Sequence, residues 1–141
     1  MGIVIALISG ALMSLQGVFN TGVTDQTSVW VAAGWVQATA LLTCAVIWFM
    51  TGREPVAGLF SVSPRYLLLG GILGALITYT VIRSMDSLGP AQAALLIVVS
   101  QILVAYAIEL FGLFGVEKSP FAWNRLLGAA LAIGGIILFK R

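Results

Sequence analysis

Long apolar stretches alternate with short polar interruptions along the whole chain. No charged side chain occurs within residues 1–24, 26–52, 66–82, 87–108 or 126–139. A helix crosses the hydrocarbon core of a bilayer with about 20 apolar residues. With their flanking residues, these stretches predict five transmembrane helices over roughly 3–22, 28–50, 65–86, 91–111 and 120–139. Backbone polar groups must pair within a segment that lies in lipid, which favours helices, and no alternating pattern marks a barrel strand.

Local punctuation supports these spans. Ser63-Pro64 and Ser119-Pro120 each read as an N-cap followed by proline at the first helical position. Gly89-Pro90 opens the fourth span, and Thr27 or Ser28 caps the second. The longest connection is 51–62, TGREPVAGLFSV, and the connection 112–119 holds Gly112, Gly115 and the turn-like EKSP. Residues 1–141 read as a single transmembrane domain.

Composition narrows the class. Of 141 residues, 60% are hydrophobic and 9% charged, against about a quarter charged in an ordinary soluble domain. The chain is therefore read as an all-α integral membrane protein. The first span lacks the basic leader of a signal peptide and carries Gln16 and Asn20 where that leader would be apolar. The lone Cys44 and the absence of histidine leave no metal site, cofactor site or catalytic set, so an enzyme is not expected. The net charge of +2 is scattered, which gives no support for a nucleic-acid partner.

With five spans the termini face opposite sides. The N-terminal side receives Arg53, Arg65, Lys118 and Arg125, and the other receives Arg83, Lys140 and Arg141. Lys/Arg asymmetry orients membrane proteins, and here it nearly vanishes. Two readings stand: a weak bias with the N-terminus cytoplasmic, or insertion both ways with pairing to an inverted copy. Many transporters are built from inverted halves around a midplane site, and this chain is long enough for one half.

The uncharged polar residues inside the spans are the candidate site. At about 1.5 Å of rise per residue, Gln16, Gln37 and Gln101 fall near the middle third of their spans. Ser9, Met13, Gln16 and Asn20 share one helical stripe. Amides at this depth need partners. They act either as glue between helices or as the lining of a polar pocket doubled by a partner chain. Trp35 and Tyr79 add candidate aromatic walls for a cationic or planar solute, whereas Trp30, Trp48 and Trp123 sit near span ends as an interfacial belt. Arg83 and Asp86 are an i,i+3 pair. In an inverted dimer, Arg83 would share a leaflet with Glu109 of the other copy, forming a gate or ion pair. Gly70 with Gly74, and Gly128 with Ala132 and Gly135, are candidate close-packing faces, the latter for dimerisation.

Four local patterns carry a resemblance. They are Gln16-Gly17-x-x-Asn20; Gly70-Gly71 with Gly74; Leu88-Gly89 before an alanine-rich helix; and Phe111-Gly112-x-Phe114-Gly115. Together they resemble the YdcZ family of short five-helix proteins in the drug/metabolite transporter superfamily, over nearly the whole chain. Ser100-Gln101 and Glu109 stand where the family often has Gly-Gln and Asp. The resemblance implies half of an inverted-repeat transporter in the bacterial inner membrane. It would move a small organic solute, cationic or polar, by alternating access, as an antiparallel homodimer or with a similar short chain. More distant small multidrug resistance proteins couple protons through an acid in the first helix. Gln16 cannot titrate, which leaves Glu109 as the only candidate acid. The alternative reading is an accessory or regulatory membrane subunit.

Overall fold

The computed structural model describes residues 1–139. Lys140 and Arg141, two of the three cations assigned above to the C-terminal face, lie outside the described residues. The helices are α1 (Gly2–Gln26), α2 (Val29–Thr51), α3 (Gly70–Leu88), α4 (Pro90–Phe111) and α5 (Trp123–Phe139). Among the described residues there is no strand. Four segments, Gly2–Gln26, Val29–Thr51, Arg65–Leu88 and Pro90–Phe111, are long and apolar enough to cross a membrane. At 17 residues, α5 spans about 25 Å, a few ångström less than the hydrocarbon core.

Several helix ends differ from expectation. α1 continues to Gln26, because nothing breaks it before Thr27-Ser28. Its C-terminal turns are reinforced by Thr21 Oγ1 donating to the Gly17 carbonyl and Gln26 Nε2 to that of Gly22. Ser28 caps α2 by accepting from the Val31 N–H at 3.3 Å. Pro64 does not start an α-helix. Its backbone is extended (φ −73°, ψ 150°), a 3₁₀ segment follows over Arg65–Leu69, and α-helical geometry begins at Gly70. Pro120 likewise precedes its helix by three residues. The Ser119 N–H donates to the Glu109 carbonyl at 2.9 Å and the Ala122 N–H to Tyr106 Oη at 3.0 Å. These bonds tie the segment to the end of α4 before α5 can begin.

Gly89 and the Phe-Gly-x-Phe-Gly tail behave as helix punctuation. Gly89 has φ +81° and precedes Pro90 at the first position of α4. Gly112 ends α4 in the left-handed conformation, φ +65°, and Gly115 follows at φ +84°. A Cβ is strained in these conformations, so the motif terminates a helix.

The chain divides into two compact units, Met1–Ser87 and a second that begins at Leu88. In the first, the buried positions are small or adaptable: Gly17, Asn20, Ala32, Ala33, Ile82 and Met85. In the second they are Ala93, Ala129 and Ile136. Large apolar side chains such as Ile3, Leu7, Leu41, Leu42, Leu131 and Leu138 point outward. That inversion suits helices whose solvent is lipid, where small residues allow close approach and Leu or Ile meets acyl chains.

Candidate functional site: a groove between α1 and α2

Two stripes of equal pitch face each other in the first unit. On α1 the stripe contains Gln16, Phe19, Asn20 and Val23. On α2 it contains Trp35, Val36, Thr39, Ala40, Thr43 and Cys44. Between them runs an open groove of about 630 Å³, within the size range of small-molecule sites. Gln16 and Asn20 are four residues apart and so share a face one turn apart. Gln16 is exposed. Asn20 is only 6% exposed, and among the described residues its amide makes no hydrogen bond. Its amide atoms are not sealed off, since Thr24 Oγ1 is the one fully buried side-chain polar atom without a partner among the described residues. The amide stays open to the groove and gains a partner from whatever fills it.

The other polar walls of the groove are partly spent. Thr39 Oγ1 donates to the Trp35 carbonyl at 2.9 Å, and Thr43 Oγ1 donates to that of Thr39 at 2.8 Å. Each hydroxyl keeps acceptor capacity only. Trp35 is 64% exposed. Among the described residues, no Asp, Glu, Lys or Arg lines the groove.

Gln37 and Tyr79 are not part of this wall, contrary to the expectation of one amide pocket with Trp35 and Tyr79 beside it. Residues two apart on a helix point to different sides, so Trp35 and Gln37 cannot share a face. Gln37 turns instead to α3, where a Cβ added at Gly74 would lie 3.3 Å from its Nε2. Tyr79 stacks on Trp30, with ring centroids 4.8 Å apart and planes at 19°. Trp30, which the sequence reading placed in an interfacial belt, thus packs with Gln37 against α3. Gln101 lies in the second unit, exposed on α4.

The glycine in closest contact is one the sequence reading noted only as a motif letter. A Cβ at Gly17 would overlap the Sδ and Cε of Met85, so the Gln-Gly-x-x-Asn element seats α1 on α3 while presenting both amides to the groove. The family model described as "Putative inner membrane exporter, YdcZ" matches residues 1–138. The chain belongs to the YdcZ family. It is a multi-pass protein of the inner membrane, in a transporter superfamily. Neither the curated proteins nor the solved structures contain a match.

In this YdcZ-family chain the remaining predicted residues fall outside the α1–α2 groove. Arg83 Nη1 and Asp86 Oδ2 are 3.8 Å apart on α3, both about half exposed. Glu109 is paired within its own chain, with Arg125 of α5, whose Nη1 donates to Glu109 Oε2. The sequence reading put both on one membrane face but did not join them, although a short connection between α4 and α5 brings such ends together. The pair lies at a second groove, about 500 Å³, lined also by Ile102, Tyr106, Leu126, Gly128 and Ala129. A Cβ at Gly70, Gly128 or Gly135 would meet nothing within 4 Å, and Ala132 is half-buried. The packed face of α5 runs through Ala129 and Ile136 instead.

Thr24 is a polar residue the sequence reading missed. Its Oγ1 is buried without a hydrogen-bond partner, one turn beyond Asn20 on α1. The signal was present as a continuation of the stripe at i+4.

Proposed function

We propose that this chain is one half of a solute exporter. Two copies inserted in opposite senses, or this chain with a similar short one, enclose a midplane site and carry a small organic solute by alternating access. Each chain crosses the bilayer five times, and no covalent chemistry is involved. The observation that carries the reading is the α1–α2 groove: an open cavity in a membrane protein, with Gln16 and Asn20 on its wall and the Asn20 amide open to it without a hydrogen bond among the described residues. Such a wall is costly to keep dry and empty, and a solute or a mate completes it. The near-balance of Lys and Arg across the two faces supports opposite insertion, and a 141-residue chain supplies one repeat of a two-repeat transporter.

The sole cysteine provides the test, because Cys44 is exposed and lines the groove. Terminal tags and Cys44 are probed with a membrane-impermeant maleimide in sealed vesicles of each orientation. The expected result is that each terminus is found on both sides, that Cys44 is reached from either face, and that a transported solute slows its labelling. A single fixed orientation, with no similar short chain co-purifying, would remove the inverted pair. Labelling from one face only, insensitive to every solute in an extract of bacterial metabolites, would favour an accessory subunit.

A further inference from the structure

We infer that the α1–α2 groove selects uncharged solutes in which a carboxamide-like donor–acceptor pair sits beside a flat apolar body. This rests on reading that groove as the solute site, and it narrows the class that a membrane amide pocket would otherwise admit. Among the described residues, the groove wall contains no ionisable group other than the Cys44 thiol. A cation or anion entering it sheds water and finds no counter-ion. Attraction between a cation and the face of Trp35 is smaller than that desolvation cost. Net charge is therefore selected against.

Hydrogen-bonding capacity is selected for. Each amide offers one acceptor oxygen and two N–H donors. Among the described residues Asn20 uses none of these; most of the residue's surface is buried, but its amide atoms stay accessible from the groove. The hydroxyls of Thr39 and Thr43 have given their protons to backbone carbonyls and present oxygen alone. The wall thus lacks partners of both kinds, a donor for its oxygens and an acceptor for its N–H groups. A carboxamide, a lactam or a ring with adjacent N–H and C=O supplies both from adjacent atoms. Phe19 and the exposed indole of Trp35, on the same walls, match a planar apolar remainder.

An isosteric series separates charge from shape: 2-naphthamide, the 2-naphthamidinium ion and 2-naphthoate. Each is titrated against the purified full-length protein by calorimetry and by protection of Cys44 from alkylation. We expect the neutral amide to bind at least tenfold more tightly than either ion and to protect Cys44. Asn20→Leu should weaken amide binding at least tenfold and leave the ions unchanged. Because Asn20 is buried, Gln16→Leu at the exposed neighbouring position is the second variant. It should weaken amide binding severalfold without altering the thermal midpoint. If an ion binds as tightly as the amide and protects Cys44, the neutral class is overturned while the groove stands as a ligand site. If none of the three binds to a protein that remains monodisperse, the inferred class falls. If cell-extract solutes also fail to protect Cys44, the transport reading falls with it.

Discussion

Gly17 of α1 lies against the thioether of Met85 on α3, so closely that a β-carbon at residue 17 would occupy the space of Met85 Sδ and Cε. Met85 is itself buried. The atoms in the way are the far end of its flexible, unbranched side chain, which can swing aside. Gly17→Ala is therefore expected to cost at most about 1 kcal/mol, the low end of over-packing, with alanine's better helix propensity offsetting part of it. Gly17→Val should cost more. Gly17→Ala with Met85→Ala should lose less than the sum of the two single losses, because the two changes share one space and so are not additive. Thermal unfolding in detergent of the wild type, Gly17→Ala, Met85→Ala and the double variant checks this, and additive losses would show that the contact is not the cause.

The ion pair of Glu109 and Arg125 gives a second test. Both side chains are about half exposed, so the pair contributes under about 1 kcal/mol after screening. Its value lies in specificity. Glu109→Lys should lower stability or assembly, and Arg125→Glu should restore it. Rescue by Arg83→Glu instead would indicate that Glu109 faces the Arg83 of an inverted mate during function. Thermal midpoints and cross-linking yields of the three combinations decide between partners.

Tyr106 anchors the start of α5 by accepting from the Ala122 N–H at 3.0 Å. Tyr106→Phe keeps the ring and removes the oxygen. A part-buried backbone donor is then left without its partner, at a cost of about 1 kcal/mol. The first turn of α5 should exchange amide hydrogens faster around Ala122 and Arg125, with the middle of α4 unaffected. Unchanged exchange at Ala122 would assign the anchoring to the Ser119–Glu109 bond alone.

Helices were legible in the sequence wherever charge and proline bracket apolar runs, and Gly89-Pro90 and Ser28 act as read. Ser119-Pro120 misled because helix initiation there is overridden from outside the dipeptide, and after Ser63-Pro64 a 3₁₀ segment comes before the α-helix. Residues 119–122 are held by Glu109 and Tyr106, which no local pattern announces. In the site, Gln16 and Asn20 were legible as a stripe. Grouping Trp35 with Gln37 ignored the helical period, which sends Gln37 and Trp30 to α3 and leaves Trp35 with Thr39 and Thr43 on the groove. The pairing of Glu109 with Arg125 depends on how α4 and α5 pack, and the sequence carried only their common face.

Thr24 offers a discriminating last test. In these helices a threonine or serine hydroxyl commonly returns its proton to a carbonyl three or four residues back, as Thr21 does to Gly17 at 3.0 Å and Thr78 to Gly74 at 2.9 Å. The Thr24 hydroxyl is buried and makes no such bond. Valine has nearly the same shape, so Thr24→Val removes an unsatisfied group without opening a cavity. It should raise stability by up to about 1 kcal/mol, whereas Thr21→Val, which breaks a hydrogen bond, should be neutral or destabilising. Unfolding of both variants in detergent and in bilayers gives the comparison. A loss of stability for Thr24→Val in bilayers but not in detergent would mean that the membrane assembly supplies a partner to this hydroxyl. That partner would come from an opposing chain or a trapped water, and the polar stripe of Gln16, Asn20 and Thr24 would then belong to the interface between halves as well as to the groove.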